Sequence, residues 1–269
     1  AGTAGLVAAV GAAGLGARVA IVEKHLLGGD CLNSGCVPSK AVLRAARAFR
    51  DSRRATEFGV RAPPDASDFA GAMERMRRLR AEISANDSAW RLRDLGVDVF
   101  LGEGRFSSPD ALEVAGQQLR FRRALVATGA RPAVPDLPGL ADVGFLTSET
   151  VFQLTDLPRR LAVIGGGPIG CELAQAFARF GSQVTLLVRG AHLLPREEED
   201  CAAVVHQALE GDAVRIVANC RFLGVQRPQR SKVVHFERDG NQHQLPVDEI
   251  LVATGRAANV QGLGLEAAG

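Results

Sequence analysis

Apolar residues form alternating helix-like and strand-like runs along the chain, and one arrangement of them occurs twice. Small apolar residues between Gly2 and Gly16 predict a helix of about three turns that follows a tight glycine turn. The β-rich run Arg18–Val22 then predicts a strand. The same order recurs at a constant offset, with a helix ending near Gly181 and a strand at Gln183–Leu187. One helix-and-strand design is therefore used twice.

The second copy carries a complete dinucleotide-binding pattern. A predicted strand, Leu161–Ile164, comes directly before glycines in G-x-G-x-x-G spacing, and a helix follows. Such glycines permit the turn, let the backbone approach a pyrophosphate and let the helix pack on the strand, while the helix N-terminus faces the phosphates. A structural turn also explains many lone glycine patterns, but the flanking elements and the duplication favour a nucleotide site. The candidate binding residues are Gly165, Gly167, Pro168, Ile169 and Gly170.

The residues that follow the second strand of each copy differ in charge. Glu23 in the first copy suits a ribose diol, because a carboxylate accepts hydrogen bonds from hydroxyls. Val188 and Arg189 stand at the matching place in the second copy. A ribose 2′-phosphate needs a cation and no competing carboxylate, so the second site predicts NADPH, with NAD as a possible alternative. Arg196 is a candidate second cation, although an exposed arginine without a ligand fits the sequence equally well.

A shorter repeat indicates how the chain passes between domains. The segment Ala127–Arg131 recurs as Ala253–Arg256, and each follows an apolar run that predicts a strand, Ala124–Val126 and Glu249–Val252 respectively. These segments are interpreted as crossovers, so that the second domain interrupts the first. The predicted domains are residues 1–147 with 253–269, and residues 148–252.

The segment 28–40, GGDCLNSGCVPSK, contains the candidate redox chemistry. Cys31 and Cys36 can form a disulfide if their Cα atoms come within about 4.4–6.8 Å, which a distorted helical turn at Gly35 can supply. A thiol near a helix N-terminus and a cation ionises more readily, as thiol–disulfide exchange requires. A zinc site would need a second cysteine pair at metal-ligand spacing, so no metal site is predicted. The remaining cysteines are isolated: Cys171, Cys201 and Cys220.

Composition restricts the classes of partner. Among 269 residues, 32 are basic and 30 acidic, and the net charge of +2 gives no reason to expect nucleic acid or a membrane surface. Arginines between Met73 and Arg93 alternate with acids and are interpreted as a solvated helix face. The apolar residues 4–17 are too few to cross about 30 Å of hydrocarbon. The 5 cysteines favour a reactive pair over a secreted disulfide framework. We expect a cytoplasmic enzyme with a small-molecule partner.

Taken together, the GGDCLNSGCVPSK segment, the GGGPIG loop and the paired ATG segments resemble the class I pyridine nucleotide-disulfide oxidoreductases. The resemblance covers nearly the whole chain, and the motifs do not separate dihydrolipoyl dehydrogenase, glutathione reductase and mercuric reductase, although the NADPH-like second site favours the last. It implies an α/β fold of two Rossmann-like, three-layer domains, with the NADP domain inserted in the FAD domain. It also implies truncation at both ends, without the C-terminal dimerisation domain of a homodimer.

The resemblance assigns cofactor contacts to particular residues. It implies NADP binding by the second glycine loop with Val188 and Arg189, and a further family motif at Gly255 and Arg256 that here lacks its proline. Asp30 stands where the family usually has threonine. The implied FAD-binding residues are Gly2, Gly5, Glu23, Lys24, Gly29, Asp30, Gly104, Thr128 and Gly129.

The resemblance also implies a mechanism. Electrons would pass from NADPH through FAD to the Cys31–Cys36 disulfide, with Cys36 against the flavin and Cys31 facing a disulfide or a thiophilic metal ion such as Hg(II). Lys40 would be buried beside the flavin and paired with Glu172, although a plain surface ion pair is the alternative. None of the 5 histidines matches the family's acid-base residue. Two other functions stay open: a dihydrolipoyl dehydrogenase-like enzyme that uses NAD, and a non-catalytic nucleotide-binding or redox-sensing protein.

Overall fold

The computed structural model describes residues 1–61, 68–228 and 231–269. These residues divide into two compact units, which we call unit 1 (Ala1–Pro38, Arg77–Arg131 and Ala257–Gly269) and unit 2 (Ser39–Met76 and Pro132–Arg256). Both units combine helices with strands, as predicted for an α/β protein. The proposed boundaries of the two nucleotide domains refer to cofactor binding and not to packing, and they stay a prediction.

Helices and strands alternate from α6 to β9, whereas the rest of the chain contains runs of successive helices or successive strands. The helices are α1 (Thr3–Gly14), α2 (Gly29–Asn33), α3 (Cys36–Arg53), α4 (Phe69–Ser84), α5 (Ala89–Asp94), α6 (Leu140–Val143), α7 (Pro168–Phe180), α8 (Glu199–Gly211) and α9 (Leu265–Ala268). The strands are β1 (Val19–Glu23), β2 (Val97–Leu101), β3 (Gly104–Ser108), β4 (Ala111–Val114), β5 (Gln117–Arg120), β6 (Ala130–Pro132), β7 (Arg160–Ile164), β8 (Gln183–Leu187), β9 (Arg215–Val217), β10 (Arg221–Gln226), β11 (Lys232–Arg238), β12 (Asn241–Val247), β13 (Glu249–Val252) and β14 (Arg256–Ala258). Short 3-10 turns cover Ala55–Phe58, Ala85–Asp87 and Val151–Gln153.

Unit 1 contains a parallel pair of strands and a separate antiparallel sheet. Strands β1 and β2 run parallel, with Val19 opposite Val97 and Glu23 opposite Leu101. Helix α1 packs on this pair through the buried Ala9, which joins Ile21 and Val97 in one apolar cluster. Strands β3, β4 and β5 form the antiparallel sheet in that order. The arrangement brings the start of α1 and the end of β1 to the same region of the unit.

Unit 2 is built on a four-stranded parallel sheet in the order β13-β7-β8-β9. Its inner strands, β7 and β8, are buried along all but their first residue, because helices or other strands cover both faces of a parallel sheet. Ile164, Leu187 and Ile250 have no exposed surface at all. An antiparallel sheet, β10-β11-β12, contributes Val234 and other residues to the same core. The carboxyl ends of β7, β8 and β9 therefore lie side by side at one edge of a rigid sheet.

The structure agrees with most of the predicted elements and differs at one. The strand predicted at Gln183–Leu187 is observed with the same bounds, and Glu249–Val252 is β13. The strand predicted at Ala124–Val126 is wrong: these residues belong to no helix or strand, and none of them pairs with another described residue. Leu125 is 69% exposed, so no neighbouring strand covers this segment as the apolar run predicted. Among the helices described here, none combines the length and the apolar character needed to cross a bilayer.

Candidate functional site

The two cysteines of segment 28–40 lie on either side of a tight turn of unit 1 that joins α2 to α3. Cys31 is in α2, and Cys36 is the first residue of α3. Between them, Gly35 packs closely on the preceding helix: a Cβ at this position would lie 2.8 Å from the Asp30 carbonyl oxygen and 3.4 Å from the Cys31 Cα. Glycine is therefore what allows the chain to return to Cys31 within so few residues.

Asn33 and Arg80 hold this loop in place. The Asn33 side-chain amide donates to the carbonyl oxygens of Leu27 and Gly29, at 3.0 and 2.9 Å. Arg80, on α4, donates to the Asn33 carbonyl oxygen at 3.3 Å. The sequence interpretation of Arg80 as part of a solvated face is thus incomplete, because the side chain is half-buried and bonded to the cysteine loop. Arg80 could not be found from spacing alone, since its contact joins segments 47 residues apart, whereas the Asn33 contacts are local.

The thiols of Cys31 and Cys36 are within hydrogen-bonding reach of each other. Both residues are thiols in the structure. The hydrogen bond to Cys36 raises the pKa of Cys31 most, followed by burial and by the charge of Cys36, and these effects outweigh the lowering by the Cys36 backbone N–H and the Thr3 hydroxyl. Cys31 is therefore a poor nucleophile at neutral pH unless a base takes its proton.

The start of α1 and the end of β1 meet beside this loop. Gly2 is the N-cap of α1 and makes no side-chain cap, so backbone N–H groups of the first turn are left for another acceptor. Gly29 has φ +56°, and a Cβ on it would collide with the Gly2 Cα, so this position needs glycine. Glu23, at the end of β1, accepts a hydrogen bond from the His25 N–H at 2.8 Å.

Glu23 is partly buried, and backbone groups oppose the effect of that burial. Burial raises the pKa of Glu23, whereas the hydrogen bonds from the backbone N–H groups of His25 and Lys24 lower it. The predicted FAD residue Lys24 is itself exposed. An ionised carboxylate at the end of β1 is the group that the sequence predicts for a ribose diol.

Thr128 and Gly129 are joined to Asn259 by three hydrogen bonds within unit 1. The Thr128 hydroxyl donates to the Asn259 carbonyl oxygen at 2.6 Å, and the Asn259 amide donates to the Thr128 carbonyl oxygen at 3.1 Å. The Asn259 N–H donates to the Gly129 carbonyl oxygen at 3.0 Å. Arg131 adds a bond to the Asn259 side-chain oxygen at 3.2 Å. Asn259 is therefore a positioning residue that the sequence analysis missed.

The second glycine loop, in unit 2, has the steric features of a phosphate-binding turn. Gly165 has φ +119°, and a Cβ there would collide with the Ala253 carbonyl oxygen. A Cβ on Gly170 would collide with the Gly165 carbonyl oxygen. A Cβ on Gly167 would meet no described atom within 4 Å, so this side of the loop is open. Gly167 is also the N-cap of α7, with Pro168 in the first turn and no side-chain cap.

Of the two residues predicted to select the second nucleotide, one is buried and one is exposed. Val188 is 4% exposed and packs against Gly166, where an added Cβ would lie 2.9 Å from the Val188 Cγ2. Arg189 is exposed and lines a surface cavity of about 380 Å³. Arg196 is also exposed but is not among the residues that line this cavity. Arg189 is thus the cation that the structure presents at the end of β8.

Lys40 and Glu172 approach each other within unit 2. The Lys40 Nζ lies 3.3 Å from the Glu172 Oε1 and 3.4 Å from the Oε2. The burial expected of Lys40 is absent, since its side chain is 66% exposed and that of Glu172 is 42% exposed. Water screens a pair that is this exposed, so its contribution to stability is small.

The remaining predicted residues have mainly structural contacts. A Cβ on Gly5 would lie 3.7 Å from the Ala127 Cβ, in ordinary contact, and one on Gly104 would lie 3.2 Å from the Val22 Cγ1. Gly255, at φ +123°, accepts a hydrogen bond from the Ala133 N–H at 2.9 Å. Arg256 is exposed. Over the described ranges, no cluster of three histidine, cysteine or acidic side chains could hold a metal ion.

The two glycine turns fit the pyrophosphates of two dinucleotides. Each turn begins a helix of 12 or 13 residues with glycine at the N-cap and no side chain in the capping position. The helix N-terminus is a site for anions because its N–H groups and its dipole face the same way. A charged group lies at the end of the following strand in each copy: the carboxylate of Glu23, the last residue of β1, and the guanidinium of Arg189, just beyond β8.

Comparisons with known proteins agree with this arrangement. A family described as "Pyridine nucleotide-disulphide oxidoreductase" matches residues 1–269. Mercuric reductase of Staphylococcus aureus is 34% identical over 268 residues, which cover 100% of this chain and 49% of the relative. Dihydrolipoyl dehydrogenase of Geobacillus stearothermophilus is 35% identical over 274 residues, covering 100% of this chain and 58% of the relative.

A solved structure is similar as well. The Cu(II) complex of HOCl-induced flavoprotein disulfide reductase RclA from Escherichia coli superposes with a TM-score of 0.85 at 31% identity, covering 98% of this chain and 57% of that one. The α/β fold found here is therefore shared with a flavoprotein disulfide reductase. The chain spans about half the length of the curated relatives that it matches, from 49% to 58% in the two compared here.

Proposed function

Because the chain belongs to the pyridine nucleotide-disulphide oxidoreductase family, as its motifs predicted, we propose that it passes electrons from NADPH to the Cys31–Cys36 pair and on to a disulfide or a thiophilic metal ion. The family depends on FAD and on NAD(P). The observation that supports the proposal most directly is the contact between the two thiols in a loop that Gly35 and Asn33 hold closed.

We assign one cofactor to each glycine turn. FAD would be held by the turn at Gly2 with Glu23, within a domain of residues 1–147 and 253–269. NADPH would be held by the turn at 165–170 with Arg189, within residues 148–252. When bound, the pair of cofactors supplies a two-electron route from the nicotinamide to the cysteine loop. The chain contributes the N–H groups at the start of α1 and α7, which bind the pyrophosphates, and the groups that bind the riboses.

The cysteine pair then exchanges electrons with the substrate. Two electrons and two protons convert the Cys31–Cys36 disulfide into two thiols. The Cys31 thiolate attacks one sulfur of a substrate disulfide, forming a mixed disulfide and releasing the first product thiol. Cys36 attacks the Cys31 sulfur, which releases the second product thiol and restores the Cys31–Cys36 bond. With a thiophilic metal ion, the same two thiolates are the soft ligands that would hold it.

The nucleotide preference rests on Arg189. A guanidinium at the end of β8 can bind a 2′-phosphate through two parallel hydrogen bonds, whereas a carboxylate there would repel it. This feature favours NADPH, and with it a mercuric reductase-like enzyme, over a dihydrolipoyl dehydrogenase-like enzyme that uses NAD. The mercuric reductases and the Cu(II) complex among the relatives make a metal acceptor a reasonable first substrate to test.

An anaerobic NADPH titration of the full-length protein tests this proposal. We expect a long-wavelength charge-transfer band in the visible spectrum of the wild type, because the Cys36 thiolate would lie against the flavin. Cys36→Ala should lack the band. Cys201→Ala is the matched control, because Cys201 is an exposed cysteine in α8, and it should behave as the wild type does. An identical response of Cys36→Ala and wild type would contradict the dithiol mechanism.

A further inference from the structure

A cavity in unit 2 brings together residues that the sequence analysis did not connect. It measures about 380 Å³, near the lower end of the range of about 300–1,000 Å³ that small-molecule sites occupy. Its volume suits one end of a dinucleotide and not the whole molecule. Its lining residues are Pro135, Asp136, Leu137, Arg189, Asn219, Cys220, Arg221 and Phe222.

The cavity lies where β8 and β9 end, on the edge of the parallel sheet that carries the glycine loop. The Val188 N–H donates to the Val217 carbonyl oxygen at 2.8 Å, and the Cys220 N–H donates to the Val188 carbonyl oxygen at 2.9 Å. A third bond joins the Asn219 N–H to the Gly190 carbonyl oxygen at 2.9 Å. These bonds extend the pairing of the two strands beyond their ends and fix Asn219 beside the segment that contains Arg189.

The same edge continues to the phosphate-binding turn. The Gly165 N–H donates to the Leu187 carbonyl oxygen at 3.0 Å, so the first glycine of the loop is bonded to the last residue of β8. A nucleotide whose pyrophosphate lies at the start of α7 and whose ribose reaches the end of β8 therefore directs its adenosine end toward the cavity. The residues of the cavity are then in a position to contact that end.

The chemistry of the lining suits a phosphorylated adenosine. Leu137 and Phe222 provide an apolar wall of the kind against which a nucleobase packs. Arg189 and Arg221 provide two guanidinium groups, and Asn219 provides an amide. Arg221 is positioned by an ion pair with Glu237, which lies opposite it on β11. A guanidinium has N–H donors on more than one side, so the ion pair with Glu237 leaves other N–H groups of Arg221 that can bind a phosphate.

We infer that Arg221 is the second cation for the 2′-phosphate of NADPH, acting with Arg189, and that Asn219 donates to the same group. The inference rests on the proposed NADPH site and names the residues that would give it selectivity. It replaces the assignment of Arg196, which lies outside the cavity lining. Asp136 is a carboxylate in the same lining and weakens the attraction for a 2′-phosphate by repulsion.

Binding of two small probes separates the 2′-phosphate from the rest of the nucleotide. We would measure the affinity of the full-length protein for adenosine 2′,5′-bisphosphate and for 5′-AMP by isothermal titration calorimetry. Arg221→Gln should weaken binding of the bisphosphate by about tenfold, the effect of losing one charged hydrogen bond, and leave 5′-AMP binding unchanged. Arg221→Lys should recover part of the loss. Asp136→Asn should tighten bisphosphate binding by about threefold, through removal of one nearby repulsive charge.

Two controls test whether the effect is local. Arg159→Gln removes the same charge from an exposed position just before β7, at the opposite end of the strands, and should leave both affinities unchanged. Arg196→Gln should also leave them unchanged. A loss with Arg196→Gln and none with Arg221→Gln would overturn the inference while the NADPH site stands. A wild-type protein that binds the bisphosphate no tighter than 5′-AMP would overturn both the inference and the proposed NADPH preference.

Discussion

At the residue scale, the chemistry of the cysteine loop depends on how one thiol affects the other. Cys31 shares a hydrogen bond with Cys36 and is partly buried, and both effects raise its pKa. A raised pKa means that less of Cys31 is thiolate at neutral pH than for an ordinary cysteine. In the reduced protein, Cys31 therefore needs a base before it can attack a substrate.

This property predicts a pH profile for alkylation of Cys31. In the reduced protein, the rate of reaction with iodoacetamide should rise with pH beyond the ordinary pKa of a cysteine, because only the thiolate reacts. Cys36→Ala removes the hydrogen bond and the charge of Cys36, the first and third causes of the shift, and should move the profile to lower pH. Mass spectrometry of the Cys31 peptide measures the rate. A wild-type profile at or below that of an ordinary cysteine would contradict the account.

Gly35 offers a second residue-scale prediction. An alanine there would press on the Asp30 carbonyl oxygen, so the loop would open and separate Cys31 from Cys36. We expect Gly35→Ala to form the Cys31–Cys36 disulfide much more slowly with oxidised glutathione, as measured by the loss of reactive thiols with time. Gly14→Ala is the matched control, because a Cβ at this exposed position in α1 meets no described atom within 4 Å. Equal rates for Gly35→Ala and wild type would show that the close packing is dispensable.

At the element scale, the helices of unit 2 are joined by the carboxylate of Asp212, at the end of α8. Its side chain is only 4% exposed. Arg179 of α7 lies 2.8 Å away, Arg50 of α3 lies 2.7 Å away, and the Gln175 amide donates to it at 2.8 Å. A buried carboxylate is tolerated only with such partners, and the partners in turn depend on it.

Removal of this carboxylate should destabilise unit 2. We expect Asp212→Ala to lower the free energy of unfolding by about 3 kcal/mol, because the mostly buried Arg179 and the more exposed Arg50 lose the carboxylate that they share. Urea unfolding followed by circular dichroism measures the change. Asp51→Ala is the control: its pair with Arg47 is exposed on both sides, so its loss should cost about 0.5 kcal/mol or less. Similar costs for the two variants would show that Asp212 does not join the helices.

At the scale of the whole molecule, local patterns predicted individual helices and strands, whereas contacts between distant segments could not be predicted from them. The glycine turns and the strands Leu161–Ile164 and Gln183–Leu187 were predictable because glycine spacing and β-branched runs act within a few residues. The absence of a strand at Ala124–Val126 was not predictable, because a strand needs a neighbouring strand to pair with and the apolar run alone cannot supply one.

The candidate site also combines residues that the motifs predicted with residues that they did not. The motifs predicted Cys31, Cys36 and Arg189. They did not predict Asn259, Arg80 and Arg221, whose contacts are with residues distant in the sequence. Asn259 meets Thr128, and Arg221 lines a cavity with Arg189. No periodicity marks these contacts, since they depend on how the sheet edges and loops pack.

The central claim is that electrons from NADPH reach the Cys31–Cys36 pair, and differential alkylation tests it most directly. The oxidised full-length protein would be labelled under denaturing conditions before and after anaerobic addition of NADPH, and each cysteine peptide quantified. Cys171 and Cys220 are internal standards: burial raises the pKa of Cys171 to about 11 and also raises that of Cys220, so they are expected to remain reduced thiols throughout. We predict that NADPH makes Cys31 and Cys36 newly reactive together, while labelling of the two standards does not change. If Cys31 and Cys36 react equally with and without NADPH, the pair takes no electrons from the nucleotide and the account is wrong.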